Sequence, residues 1–165
     1  MKRLFIVFAL LSFGLTATAQ TAVGSTTAAD TTRLGLVVAT GEAFASGELV
    51  AMENTGGVPQ AFRADANGAT NRKNAIGVAV RAALISTNLV VVVAGEVSTP
   101  DAAWTGGVPA VGDVGSKAFL SETAGLWTLT APVTAGSRVI RVGIVTRGGT
   151  GAVKVDVQIG EGTDL

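Results

Sequence analysis

The chain contains no cysteine, no histidine and no tyrosine in 165 residues. Without cysteine there is neither a disulfide framework nor a thiolate site. Without histidine the commonest general base, the commonest transition-metal ligand and the base of a serine triad are lost together. Ser46, Ser86, Ser98, Ser116, Ser121 and Ser137 have no imidazole to activate them, and no S-x-x-K sequence supplies a lysine in its place. A surplus of either charge is also missing, with twelve basic residues against twelve acidic ones. Aromatic residues are only 5% of the chain, so a core must be built from valine, isoleucine, leucine and alanine.

No long apolar run is present either. Residues 4–15 are apolar apart from Ser12 and Gly14, which falls short of the ~20 residues a membrane-spanning helix needs. Preceded by Lys2-Arg3 and followed by Ala17-Thr18-Ala19, the run reads as a secretory signal peptide, residues 1–19, cleaved after Ala19, the alternative being a retained N-terminal apolar segment. Its removal takes two basic residues and no acid, leaving a net charge of −2 and no membrane segment. A weakly acidic chain lacks the basic footprint of a nucleic-acid binder. Residues 20–31, small, polar and aperiodic, read as a flexible leader arm.

What the chain does have is glycine, 22 residues of it, set among valine, alanine and threonine. It also says one phrase twice. Ala75-Ile-Gly-Val-Ala-Val80 followed by Leu89-Val-Val-Val-Val-Ala-Gly-Glu96 is answered by Arg141-Val-Gly-Ile-Val-Thr146 followed by Ala152-Val-Lys-Val-Asp-Val-Gln-Ile-Gly-Glu161. Gly77 matches Gly143 at 66 residues, and Gly95-Glu96 matches Gly160-Glu161 at 65. Gly112-Asp113 echoes Gly47-Glu48, again at 65. The reading is an internal duplication, copies at about 41–97 and 112–161, within one β-domain at 32–165. Short β-branched runs separated by glycine turns give about nine strands and no amphipathic helix, hence an all-β barrel or sandwich. Residues 65–74, the most polar stretch, read as a solvent-exposed loop.

A shift of 65 lays Leu89, Val91 and Val93 on Lys154, Asp156 and Gln158. The later strand alternates, with Val153, Val155, Val157 and Ile159 turned inward and polar residues facing water. Its duplicate then carries apolar side chains on the wet face, and something must cover them. Leu89, Val91 and Val93 are therefore expected either in a subunit interface or beneath the connection 99–109. Trp104, beside Gly106-Gly107, is a further contact candidate. Trp104 and Trp127 are core plugs on one reading and sugar platforms on another, the latter making the chain a secreted carbohydrate-binding module.

Chemistry is otherwise thin. Residues 147–151 are glycine-rich, but the Walker spacing and a following helix are absent, so they read as a hairpin turn. Asp65 and Asp101 lie in loops and could in principle form a carboxylate pair. Arg72-Lys73 reads as a solvated loop tip, and Glu96 and Glu161 as strand ends repeated by duplication. No catalytic residue, metal ligand or cofactor site is expected, and no enzyme.

The order Gly-Glu-Leu-Val, Ala-Ile-Gly-Val-Ala and Val-Val-Val-Ala-Gly-Glu-Val, then Lys-Ala-Phe-Leu, Leu-Trp-Thr-Leu-Thr and Val-Gly-Ile-Val, resembles bacteriophage capsid decoration (cement) proteins. The β-domains of phage head fibres look similar. The resemblance runs from about residue 34 to 159. It implies a small, typically trimeric β-barrel-like domain that binds copies of itself and a lattice of major capsid protein, with no catalytic residues to transfer. A secretory signal departs from that pattern, since capsids assemble in the cytoplasm. The expected location is therefore a virion or, if the domain has been recruited to an exported filament or surface assembly, the cell exterior.

Overall fold

The computed structural model describes residues 34–151 and 153–165; the expected signal peptide and leader arm lie outside the described residues. The strands are β1 (Leu34–Ala39), β2 (Leu49–Thr55), β3 (Val58–Arg63), β4 (Ala75–Ala79), β5 (Asn88–Thr99), β6 (Lys117–Leu120), β7 (Trp127–Thr128), β8 (Arg138–Val139), β9 (Arg141–Arg147), β10 (Val153–Gln158) and β11 (Thr163–Asp164). Nine of them make one sheet in the order β3-β2-β4-β5-β10-β9-β6-β7, with β1 also on β5. β8 and β11 form a separate two-stranded ladder. The fold is all-β, as the valine and glycine pattern requires.

The sheet order reads the same from both ends because each half is built alike. Val50 of β2 pairs with Gly77 of β4, and Ala118 of β6 pairs with Gly143 of β9, each followed by a bulge. Ala79 faces Val91, and Val145 faces Val155. The N–H of Gly47 donates to the carbonyl of Ala79, and that of Gly115 to the carbonyl of Val145. Both glycines need the left-handed backbone, at φ 84° and 90°. Gly115, and not Gly112, is thus the counterpart of Gly47.

Each half also curls until its first strand touches its third. Thr40, just after β1, bridges Ala61 of β3 in parallel, and Trp104 bridges Trp127 of β7 in the same sense. Unit one is therefore β1 to β4 with the first half of β5. Unit two begins with the second half of β5 and continues through β6, β7, β9 and β10. Ala94 pairs with Gln158, its own counterpart, so a local two-fold passes through that pair.

These ladders correct the register read from sequence. The shift between copies is 68 residues at β2/β6, 66 at β4/β9 and 64 at β5/β10, since the intervening turns differ in length. A uniform 65 is one residue out on β5, and a one-residue slip reverses every side chain. Leu89, Val91 and Val93 correspond to the inward Val153, Val155 and Val157. Leu89 and Val91 are fully buried inside unit one, with Val38, Phe44, Val50, Ala61 and Ala79. They leave no surface for a subunit interface, and no residue of 99–109 belongs to the cluster that covers them. Val93, in the same cluster, is only half-buried.

The apolar face on the wet side is real but lies one residue along. Leu49, Ala51, Val78 and Val92 point out of unit one, where unit two has Lys117, Phe119, Ile144 and Asp156. All four pack into a single cluster with the core of unit two. The cover is the other half of the same chain. Val92 and Val97 both join this cluster although five residues apart, which a strand of strict period two does not allow. β5 accommodates it with an extra residue between its pairings to Leu34 and Gly35, and with Gly95 at φ 99°.

Gly77 and Gly143 owe their repetition to close approach. A Cβ on either would lie 2.5 Å from a backbone carbonyl oxygen, that of Val92 or Asp156. Gly143→Ala and Gly77→Ala should each cost about 1–3 kcal/mol by overpacking. Gly112→Ala, which meets open space, should stay within about 0.5 kcal/mol. Urea denaturation of the three variants checks this; equal midpoints would remove the close-approach account.

Candidate functional site

Trp104 and Trp127 stack with ring centroids 5.6 Å apart, and both are buried. The indole N–H of Trp104 donates to Thr99 Oγ1 at 2.9 Å, and that of Trp127 to the Gly47 carbonyl at 2.7 Å. The second bond crosses from unit two to unit one. Trp104 is therefore a core residue and not a loop contact, and neither ring is open to a sugar. The parallel bridge that pulls Trp104 inward has no local sequence signature. Trp127→Phe strands the buried Gly47 carbonyl and should cost about 1–3 kcal/mol, read as a lower urea midpoint. An unchanged midpoint would mean the bond contributes nothing.

The expected polar candidates scatter. Asp65 accepts the Asn67 N–H within its own turn, while Asp101 accepts the Gly151 N–H at 2.7 Å and pins the β9–β10 turn. Each carboxylate holds a loop. Arg72 stacks on Phe62 at 4.3 Å and pairs with Glu53 at 3.0 Å, so the polar stretch 65–74 is anchored, with Ala66 fully buried. Glu96 pairs with Lys154 at 2.7 Å and accepts the Thr146 hydroxyl, whereas Glu161 is exposed. Their repetition is not structural equivalence. Among the described residues no three of Asp, Glu, His and Cys gather where a metal could sit.

An open groove of about 280 Å³ is lined by Thr105, Ser121, Glu122, Thr128, Thr130 and neighbours. That is below the usual volume of a ligand pocket. Glu122 accepts hydrogen bonds from Ser137 Oγ at 2.8 Å and Thr134 Oγ1 at 2.9 Å. Those bonds, Ser137 first, hold its carboxyl below the usual 4.5. With the folded value depressed, the clamp it makes on residues 131–137 is present above the unfolded value and is lost as pH falls through the folded one. In an NMR titration the Glu122 carboxyl should show a midpoint below 4.5, with Ser137 and Thr134 shifting in step. A midpoint at or above that value contradicts the clamp.

Besides the exposed Leu84 and Ile85 of the β4–β5 connection, unit one has two apolar surfaces left partly open among the described residues. On its outside, Val37 pairs with Val90, which accepts the Val80 N–H. Val37 is 49% and Val80 42% exposed, with Val90 half-buried between them. In unit two the same positions are Ser98, Lys154 and Thr146, the last two bridged by Glu96. This row adjoins the Gly35–Val92–Val78 row already covered by unit two. The second surface is the barrel end where β1 enters. By strand direction and register Leu36, Met52, Ile76 and Val93 point inward at that end, all half-buried. Their counterparts Val97, Leu120, Val142 and Val157 are fully buried in unit two, packed with the outward face of unit one.

Comparison with known proteins adds a fold. No protein-family model and no curated protein matches the chain. Among solved structures it is similar to the N base of the head fibre gp8.5 of bacteriophage phi29. The TM-score is 0.50 and the identity 11%, over 76% of this chain and 94% of that one. The chain thus has a fold like that of a phage head-fibre base.

Proposed function

We propose that the chain is a non-enzymatic structural subunit of a phage virion, one that binds copies of itself and the lattice of major capsid protein. The observation that carries this reading is the fold likeness to a head-fibre base, which extends over nearly the whole of that chain. The half-covered first unit supports it further. A row of partly exposed valines where the sister unit has serine, lysine and threonine supports association, since such apolar patches commonly mark contact surfaces. Burying such side chains contributes on the order of 1.5–3 kcal/mol each.

A second reading, an exported subunit of an extracellular filament or surface layer, is favoured by Lys2-Arg3, the apolar run 4–15 and Ala17-Thr18-Ala19. Peptide mass spectrometry of density-purified particles and of the cell exterior separates the two. On the virion reading the chain is recovered in stoichiometric amount with capsid protein. Its absence from particles, with recovery outside cells beginning at Gln20, overturns that reading in favour of export.

A further inference from the structure

We infer that copies of this chain associate head to tail, the open barrel end of one first unit seating on the valine row of the next. The inference rests on the self-associating role proposed above and names its surfaces. The chain itself contains the precedent. In unit two the ring Val97, Leu120, Val142 and Val157 is sealed against the outward face of unit one, through Leu49, Ala51, Val78 and Val92. Unit one has the same ring, Leu36, Met52, Ile76 and Val93, half-buried and with no such cover among the described residues. It also has the continuation of that outward face, Val37 and Val80, 49% and 42% exposed among the described residues, with Val90 half-buried between them.

A barrel end seated on an outward face is the contact the fold already makes once. A second copy supplies both missing halves. Residues 20–33 are a poorer occupant, because they contain one apolar residue larger than alanine, Val23. A chain that begins at Met1 also carries the apolar run 4–15. A Met1 chain that is monomeric beside a Gln20 chain that oligomerises would make that run, not a second copy, the occupant. The two surfaces differ, so the contact is heterologous. Repeated through a closing rotation it gives a ring, and without closure a filament. Unit two has no matching row, since its own positions are Ser98, Lys154 and Thr146, the last two tied by Glu96. Its exposed valines, Val111, Val114 and Val133, lie in the connections 100–116 and 129–137.

The sister unit also supplies the test substitutions. Val37→Ser, Val80→Thr and Val90→Lys together install the residues unit two carries, on a surface that the fold does not need covered. Met52→Lys blocks the barrel end instead. Sedimentation velocity on the purified wild-type chain should give a concentration-dependent oligomer. The row variant, with native circular dichroism, should sediment as one chain. Mixed with the Met52→Lys variant it should form a dimer and nothing larger, one good row meeting one good end.

A wild-type chain that is monomeric throughout the dilution series overturns the proposal. So does a row variant that keeps the wild-type mass, which is decisive even if Met52→Lys fails to fold. Variants that are separately monomeric yet do not pair on mixing exclude the head-to-tail arrangement. None of these outcomes depends on recovery of the chain in particles, so the proposed function and this contact fail separately.

Discussion

One strand, β5, holds the molecule together. Its first half closes unit one and its second half opens unit two, and the local two-fold passes through it at Ala94. Twelve residues therefore contribute to both cores at once. The cost of that sharing falls on the backbone between Val92 and Val97, where the strand must change the face it gives to each core. The extra residue against β1 and the positive φ of Gly95 meet it. Everything else about the fold follows from two similar units fixed at this seam.

The seam also explains why the units diverged in surface chemistry while keeping their ladders. Unit one has apolar side chains on both sides of its strands, because unit two's core lies against its outside. Unit two is covered on its inner side alone and keeps Lys117, Lys154 and Asp156 in water. A duplicated sheet stacked on its twin needs one member apolar on two faces and the other on one. The tie from Trp127 to Gly47 and the backbone bond from Leu49 to Gly125 add hydrogen bonds across the same junction.

Much of this was legible in the residues. Valine-rich runs broken by glycine give the strands, and the pairing of Gly77 with Gly143 gives the duplication, because a backbone carbonyl 2.5 Å from a would-be Cβ tolerates nothing else. That one copy carries apolar residues where the other is wet was also readable. Which residues they are was not, because turns of unequal length move the shift from 68 to 64 along the unit. Side-chain direction alternates with every residue, so an average shift assigns the wrong face. Trp104 was hidden for another reason. Its neighbours Gly106 and Gly107 signal a loop, and nothing local announces a bridge to Trp127 that forms only when the second unit closes.

The pairing at Ala94 has a geometric consequence. Leu34, where β1 starts, and Gln158, where β10 ends, both lie beside that residue on the same edge of β5. β1 thus begins at the middle of the molecule, at the junction between its two units. A tether made there leaves the hairpin turns at Gly56-Gly57 and Gly149–Gly151 unencumbered, much as a handle fixed at the balance point leaves both ends of a tool clear.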